Sequence, residues 1–330
     1  MNPNVSIIVP CFNERTTIPL LLEALYNQTY PHSAVEVVIS DGGSTDGTQA
    51  AIAEWHAQHV DFIIRVIENP AKSIPAALNA AIKASTGEII VRLDAHSEPR
   101  QDYVERSVKA LLDGRGQNVG GVWDIRPSSN TWIAKSIAAA ASHPIGVGDA
   151  HYRHSAKPAV VDTVPFGAFE RKLLNQIGMF DETLLTNEDY EFNTRIRQAG
   201  GEIWLDPDIR SVYYARANLK ALIQQYWRYG FWKWQMLRRY PDTIRWRQAL
   251  PPLFVTVLII LILLAPFFRL VLWALITLLS VYILVLLAAG LQMAIKKKGF
   301  FFILGVPMAI ACMHYSWGAG FLWGIFHPQK

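Results

Sequence analysis

Cysteine is nearly absent from this chain of 330 residues, with only Cys11 and Cys312, far apart in sequence. A disulfide framework is therefore excluded, and the soluble part is expected to face a reducing compartment. The opening residues Met1-Asn2-Pro3-Asn4 carry no basic stretch and no cleavable apolar run, so no secretory signal is expected. Neither a Gly-x-Gly-x-x-Gly nor a Walker loop occurs, so dinucleotide and NTPase readings lack their fingerprints. Internal repeats and low-complexity segments are missing too. The net charge, +4, is small. Its basic residues cluster just before an apolar region, which fits a membrane surface and not nucleic acid. Charge is scarcest in residues 251–294, where Arg269 stands alone.

Composition divides what remains. Residues 1–215 read as a soluble α/β domain, 216–249 as an aromatic and basic helical region, and 250–330 as a membrane domain. In the first part, apolar β-branched runs at residues 5–10, 35–40, 62–67 and 88–93 predict buried strands. Helical spacing between them, as in Ile18, Leu21, Leu22 and Leu25, predicts a doubly wound, mostly parallel sheet. A further strand is expected at 202–205, closed by Asp206-Pro207-Asp208. His143, His151 and His154 are expected on a solvated loop between 142 and 160, and their spacing does not match a zinc site.

Polar residues gather where these strands end, which is where open α/β sheets bind ligands. Pro10, Phe12 and Glu14 follow the first strand, and Asp41-Gly42-Gly43 the second. Arg92, Asp94 and His96 close the fourth. Asp94 and His96, two residues apart, can reach one divalent cation, which two phosphates of a nucleotide could share. Asp41 can accept from a base N–H, Glu14 can hold a ribose hydroxyl, and Lys72 can reach a phosphate. Further on, Asn187-Glu188-Asp189 opens a helix. Acids there complement the helix dipole. One of them can equally serve as a general base toward an acceptor hydroxyl. Asp189 is the candidate base, with Glu188 and Glu191 positioning their neighbours.

Taken together, the stretches 5–14, Asp41-Gly-Gly-Ser-Thr-Asp-Gly-Thr48, Val91-Arg-Leu-Asp-Ala-His96, Gly167-Ala-Phe, Asn187-Glu-Asp189 and Gln225-Tyr-Trp-Arg-Tyr229 resemble the family 2 glycosyltransferases of the GT-A fold. The variant Arg-Leu-Asp-Ala-His-Ser with an apolar tail looks most like the succinoglycan-type exopolysaccharide enzymes. The resemblance implies a nucleotide-sugar donor, usually a UDP-sugar, and inversion at the anomeric carbon. It implies that Asp41 contacts the uracil region, that Asp94 to His96 bind Mg²⁺ or Mn²⁺ with the diphosphate, and that Asp189 is the base. It further implies that Gln225 and Arg228 lie beside the diphosphate and acceptor. Two departures stand out: His96 replaces a second Asp, and Tyr229 replaces a Trp.

Aromatic and basic residues alternate over 219–248, as in a helix at headgroup depth. Residues 251–294 exceed one span of about 20 residues. Residues 266–269 divide them into a hairpin, with spans expected at 251–268 and 270–294. A third span is expected at 300–326, where His314 has a packing role. Basic clusters before Pro251 and at Lys296 place both hairpin ends, and the catalytic domain, on the cytoplasmic side of the inner membrane. The function expected is sugar transfer to a lipid-linked saccharide in exopolysaccharide or cell-surface glycan synthesis. The alternatives are a polyprenyl-phosphate glycosyltransferase, a processive synthase, and an inactive membrane-tethered sugar-binding module.

Overall fold

The structure, a computed structural model, describes residues 2–329. In chain order its elements are β1 (Val5–Cys11), α1 (Ile18–Tyr26), β2 (Val35–Asp41), α2 (Thr48–Gln58), β3 (Ile63–Glu68), α3 (Ile74–Ala84) and β4 (Ile89–Arg92). Then come β5 (Glu98–Pro99), α4 (Tyr103–Leu112), β6 (Asn118–Pro127), α5 (Trp132–Ala141), α6 (Pro144–Val147), β7 (Ala159–Val161) and β8 (Ala168–Glu170). The last are α7 (Leu174–Ile177), α8 (Glu188–Gln198), β9 (Ile203–Ala215), α9 (Leu219–Leu237), α10 (Trp246–Leu264), α11 (Arg269–Lys297) and α12 (Phe302–Phe326). They form two compact units. One is Met1–Asp124 with Ser155–Tyr213, the other Ile125–His154 with Tyr214–Lys330.

The first unit is organised by a sheet of order β3-β2-β1-β4-β8-β6-β9-β5, with β7 paired to β9. The four strands expected from sequence form its parallel half. Every residue of β2 is buried, and β1 is nearly so, because helices cover both faces. β3 is the edge, and its residues are largely exposed. The other half joins antiparallel through β8, so the sheet as a whole is mixed. Several of its elements, β5 to β6 among them, lie where the sequence pattern predicts nothing. Cys11 pairs with Asp41 and Ile8 with Arg92, which brings the ends of β1, β2 and β4 to one edge.

Glu36 ties this half together from below. Its buried carboxylate accepts from Ser6 Oγ at 2.7 Å, the Thr86 backbone N–H at 2.5 Å and Arg65 Nη2 at 2.5 Å. Ser6 Oγ in turn accepts from the Gly87 N–H at 2.7 Å. A Cβ at Gly87 would stand 2.6 Å from the Ser6 backbone nitrogen, so only glycine fits there. Burial raises the Glu36 carboxyl, but the hydrogen bonds outweigh it and hold the pKa down at about 2. A depressed carboxylate stabilises the fold above its unfolded pKa, and that contribution is lost as pH falls from about 4.5 toward 2. Glu36→Gln is expected to cost about 1.5–3 kcal/mol, the worth of hydrogen bonds to a charged group. Melting curves recorded across that pH window should also show a shallower acid slope.

Three expectations need correction. Asp206-Pro207-Asp208 does not end a strand, because β9 runs through it. The period-2 alternation persists there: Leu205, Pro207 and Ile209 are buried while Asp208 is exposed on the other face. Residues 142–160 are solvated only in part, with His151 and 156–158 exposed and His154 half-buried. His143 is buried, accepts from the Ile145 N–H at 3.2 Å and lies 2.9 Å from Gln292 Oε1. Arg153 is buried as well. Residues 219–248 do not form one helix either. Tyr240 precedes a proline and takes φ −130°, ψ 73°, outside the α region, so α9 ends and a short turn leads to α10.

In the second unit α10, α11 and α12 are each long and apolar enough to cross a membrane by length and composition. The break before Arg269 is where the hairpin turn was expected. α10 begins at Trp246, ahead of Pro251, where Gln248 Oε1 accepts the Arg245 N–H at 3.1 Å and caps the first turn. His314 packs as expected, its ring 3.1 Å from Tyr282 Oη and 3.0 Å from the Ile145 carbonyl.

Candidate functional site

The site lies in the first unit, where β1, β2 and β4 end. Asp41 is the last residue of β2 and is buried. Its carboxylate accepts from the Ser44 N–H at 3.1 Å, from Ser44 Oγ at 2.5 Å and from Gln49 Nε2 at 2.6 Å. The loop after β1 is stitched to the loop after β2. Ser44 Oγ accepts from the Asn13 N–H at 2.8 Å, and Asn13 Oδ1 accepts from the Thr45 N–H at 2.9 Å. Asn13 itself is left-handed, φ 55°, a conformation its short polar side chain tolerates.

Phe12 is 53 % exposed, and its ring would touch a Cβ at Gly42 at 3.2 Å. Lys72 reaches the same place from the turn after β3. The Asn69 N–H is bonded to the Asp41 carbonyl at 2.7 Å, and Lys72 Cε lies 3.8 Å from where a Gly43 side chain would begin. Phe12, Asp41, the two glycines and Lys72 thus come together at this edge, with Phe12 and Lys72 exposed above the buried Asp41. Cys11 lies beneath it. Burial first, then the charges of Asp41, Glu14 and Asp46, push its thiol up to about 12, so it stays protonated and inert.

A second cluster forms at the end of β4. The Arg92 N–H is bonded to the Gly167 carbonyl at 3.0 Å, which seats the Gly167-Ala-Phe segment beside the strand end. A Cβ at Gly167 would collide with Asn118 Oδ1 at 2.3 Å. The Arg92 side chain is buried. Its Nη2 reaches Glu188 Oε1 at 2.8 Å and Asp94 Oδ1 at 3.3 Å. Its Nε and Nη1 have no hydrogen-bond partner among the described residues. Asp189 follows Glu188 in the first turn of α8, reached through a left-handed Asn187 with φ 70°. Its half-buried carboxyl accepts the Tyr190 N–H at 2.7 Å. Burial, then the neighbouring Glu188 charge, push its pKa up to about 6, against the pull of Arg92.

His96 joins the two clusters. Its Nδ1 donates to Glu14 Oε1 at 2.9 Å, while Thr17 Oγ1 bonds the other Glu14 oxygen. Burial raises the Glu14 carboxyl, but these two hydrogen bonds overcome it and leave it below the usual range. Both Glu14 oxygens are thereby engaged within the protein. Glu191 is fully buried and pairs with Arg195 at 2.6 Å. Arg195 also binds the carbonyls of Ile177, Gly178 and Met179, so Glu191 shapes the turn before α8.

Strand-end chemistry therefore brings Glu14, Asp41, Lys72, Arg92, Asp94, His96 and Asp189 to one edge of one unit. Gln225 and Arg228 belong to α9 in the second unit, where Gln225 Nε2 donates to Tyr229 Oη at 2.9 Å and Arg228 is exposed. Sequence reasoning did not find the Arg92–Glu188 pair, whose members are far apart in the chain. Nor did it find Gln49, which no motif marks.

Comparison with known proteins gives a concordant result. The model of glycosyl transferase family 2 matches residues 6–178. A Methanococcus voltae protein is 28 % identical over 97 % of this chain and 97 % of its own. It is named dolichyl N-acetyl-alpha-D-glucosaminyl phosphate 3-beta-D-2,3-diacetamido-2,3-dideoxy-beta-D-glucuronosyltransferase. The succinoglycan biosynthesis protein ExoA of Rhizobium meliloti is 30 % identical over 96 % of this chain and 93 % of its own. In structure, the chain resembles the mannosyltransferase PcManGT from Pyrobaculum calidifontis, solved with GDP-Man and Mn²⁺. The TM-score is 0.64, at 23 % identity, over 98 % of this chain and 88 % of that one. The fold is thus GT-A-like, with its mixed sheet and apolar C-terminal helices.

Proposed function

Since the chain belongs to glycosyl transferase family 2, we propose that it transfers a sugar from a UDP-sugar to a hydroxyl of a lipid-linked saccharide, with inversion, at the cytoplasmic face of a membrane. The observation that carries this reading is the convergence of the Phe12, Asp41 and Lys72 group and an acidic cluster on one sheet edge. Nucleotide and reacting atoms would sit there side by side.

Phe12 and Asp41 hold the uracil, the ring against the aromatic face and its N–H against the carboxylate. Lys72 meets the diphosphate. Asp94 is only partly buried, and its contact with Arg92 is long, so its oxygens suit a hard cation whose other ligands come from phosphate. His96 fits beside it, because a carboxylate such as Glu14 on one ring nitrogen is how metal-binding histidines are oriented. Mg²⁺ or Mn²⁺, when bound, stabilises charge on the departing nucleoside diphosphate. Asp189 takes the proton from the acceptor hydroxyl as its oxygen attacks the anomeric carbon. A sugar-bearing acceptor is favoured by the Methanococcus voltae relative, whose name specifies a dolichyl-phosphate-linked sugar. The exposed bases Arg238, Arg239 and Arg245, and Lys296 to Lys298, support a cytoplasmic orientation.

The test is release of nucleoside diphosphate from a panel of nucleotide sugars by the full chain in detergent, with and without Mn²⁺ or Mg²⁺. Metal-dependent turnover of a UDP-sugar, stimulated by a lipid-linked saccharide, is the expected result. Stimulation by polyprenyl phosphate alone would move the protein to the other acceptor class. Absence of turnover and of donor binding would leave a tethered binding module.

A further inference from the structure

Helix α12 is apolar enough to cross a bilayer, yet within the second unit it is placed like a core helix. Of its most apolar stretch 44 % is buried, against 17 % in α10 and 6 % in α11. Glycines bring its backbone against its neighbours. A Cβ at Gly320 would stand 2.2 Å from the Trp227 carbonyl of α9, and one at Gly318 2.6 Å from the Pro251 carbonyl of α10. One at Gly305 would stand 2.1 Å from Ser136 Oγ of α5. Small residues on one helix let its backbone approach a neighbour this closely.

Two of these neighbours cannot themselves cross a membrane. α5 has ten residues, about 15 Å of helix, half the hydrocarbon thickness. α9 exposes Gln224 and Arg228 and buries Gln225, Lys233 and Gln235. Such a polar set is costly in a bilayer interior, most of all the exposed Gln224 and Arg228. Yet α12 follows α9 in register, from Gly320 at Trp227 to Gly324 near Trp234. Beyond the helix end, the His327 carbonyl accepts from Gln235 Nε2 at 3.1 Å. The Gln329 N–H donates to Gln235 Oε1 at 3.0 Å, and the Gln329 carbonyl accepts from Arg238 Nη1 at 3.1 Å.

The ends of α12 settle its course. It starts four residues after Lys298, the last of three exposed lysines at the close of α11. It finishes beside the end of α9, where Lys233 Nζ meets the Thr243 carbonyl at 3.2 Å and the chain enters α10. α10 and α11 form an antiparallel hairpin, with Phe254 and Tyr282 at 4.6 Å between ring centroids. The entrance of α10 and the lysine end of α11 are therefore the same end of that hairpin. Both termini of α12 lie at it. Midway, Tyr315 packs on Phe254 and Tyr282, at 5.7 and 6.0 Å.

We propose that α12 does not cross the bilayer. It lies in the plane of the membrane beside α9 and α5, and this collar is seated in the lipid headgroup layer with Trp227, Trp246 and Trp323 exposed toward it. Only α10 and α11 cross the hydrocarbon, while the middle of α12 leans toward them at Phe254 and Tyr282. This replaces the three-span expectation with two, and it does not rest on the catalytic reading.

Lys297 and Gln329 bracket α12, and both are exposed. Lys297→Cys and Gln329→Cys would be made singly in the full chain with Cys11→Ser and Cys312→Ser. A membrane-impermeant maleimide is applied to intact spheroplasts and again after permeabilisation. The two positions are expected to behave alike, each labelling at least tenfold more strongly after permeabilisation. Labelling of Gln329→Cys in intact spheroplasts while Lys297→Cys stays protected would overturn the proposal. As a check free of substitutions, the full chain is fused at its C-terminus to alkaline phosphatase or to green fluorescent protein. A fluorescent fusion with inactive phosphatase agrees with the in-plane helix, and active phosphatase contradicts it.

Discussion

Asp189→Asn should abolish sugar transfer while leaving donor binding in place. The amide keeps the size of the side chain and its place in the first turn of α8, but it cannot take a proton. A positioned general base is worth about 10²–10⁴-fold, so kcat should fall by that factor. The Kd for the nucleotide sugar, read by calorimetry or fluorescence, should move little, because Phe12, Asp41 and Lys72 are untouched. The pH profile gives an independent check. Burial and the Glu188 charge hold the Asp189 pKa at about 6, so the base is charged only above that pH. kcat/KM for the wild type should rise about tenfold per unit below pH 6 and level off above it. In the Asn variant that limb should vanish.

Linkage makes a matching statement about stability. The native state holds the Asp189 proton more tightly than the unfolded chain, where the value is near 3.8. The group's contribution is full below pH 3.8 and is lost as pH rises through 6. The Asn variant should lack that loss. Full transfer by Asp189→Asn would remove Asp189 from the mechanism and favour an acceptor that is already ionised, such as a polyprenyl phosphate.

The parts of the site legible in sequence were those fixed by local chemistry. Val5 to Cys11 and Val35 to Asp41 read as strands because burial on both faces demands unbroken β-branched runs. The polar residues at their ends were visible because strands of a parallel sheet end on one edge. Asp41-Gly42-Gly43 needed backbone freedom where Phe12 and Lys72 come close, and glycine announced it. The antiparallel half was not legible. β8 has three residues, too few for a period, and its placement between β4 and β6 is set by long-range pairing. β9 was cut short because Pro207 and its flanking acids carry turn chemistry that the alternation of buried residues overrides. His143 looks solvated in a one-dimensional reading. Its burial follows from docking within the second unit, which composition does not encode. α12 has the composition of a span, and only its partners distinguish it from one.

The same long-range pairing governs the second large effect. Arg92→Met should destabilise the first unit by about 3–5 kcal/mol, the usual cost of breaking a buried ion pair from one side. The guanidinium is the counter-charge between Asp94 and Glu188, and Glu188 is itself buried. Burial alone would drive the proton from Arg92, but the two carboxylates outweigh it and keep the group charged. Removing it leaves Glu188 without a cation beside Asp189, whose ionisation Glu188 already opposes. For a unit of this size the loss corresponds to a fall in melting temperature on the order of 10 °C. The double variant Arg92→Met with Glu188→Met should recover much of it, since both buried charges then go together while Asp94 keeps access to solvent. Recovery of stability need not restore transfer, because Arg92 and Glu188 also set where Asp94 and Asp189 stand. A stable but inactive double variant would assign the pair to positioning the reacting groups, with its effect on kcat and not on folding. A double variant no more stable than Arg92→Met would mean that the arginine stabilises the strand end by packing, and that its charge matters little to the fold.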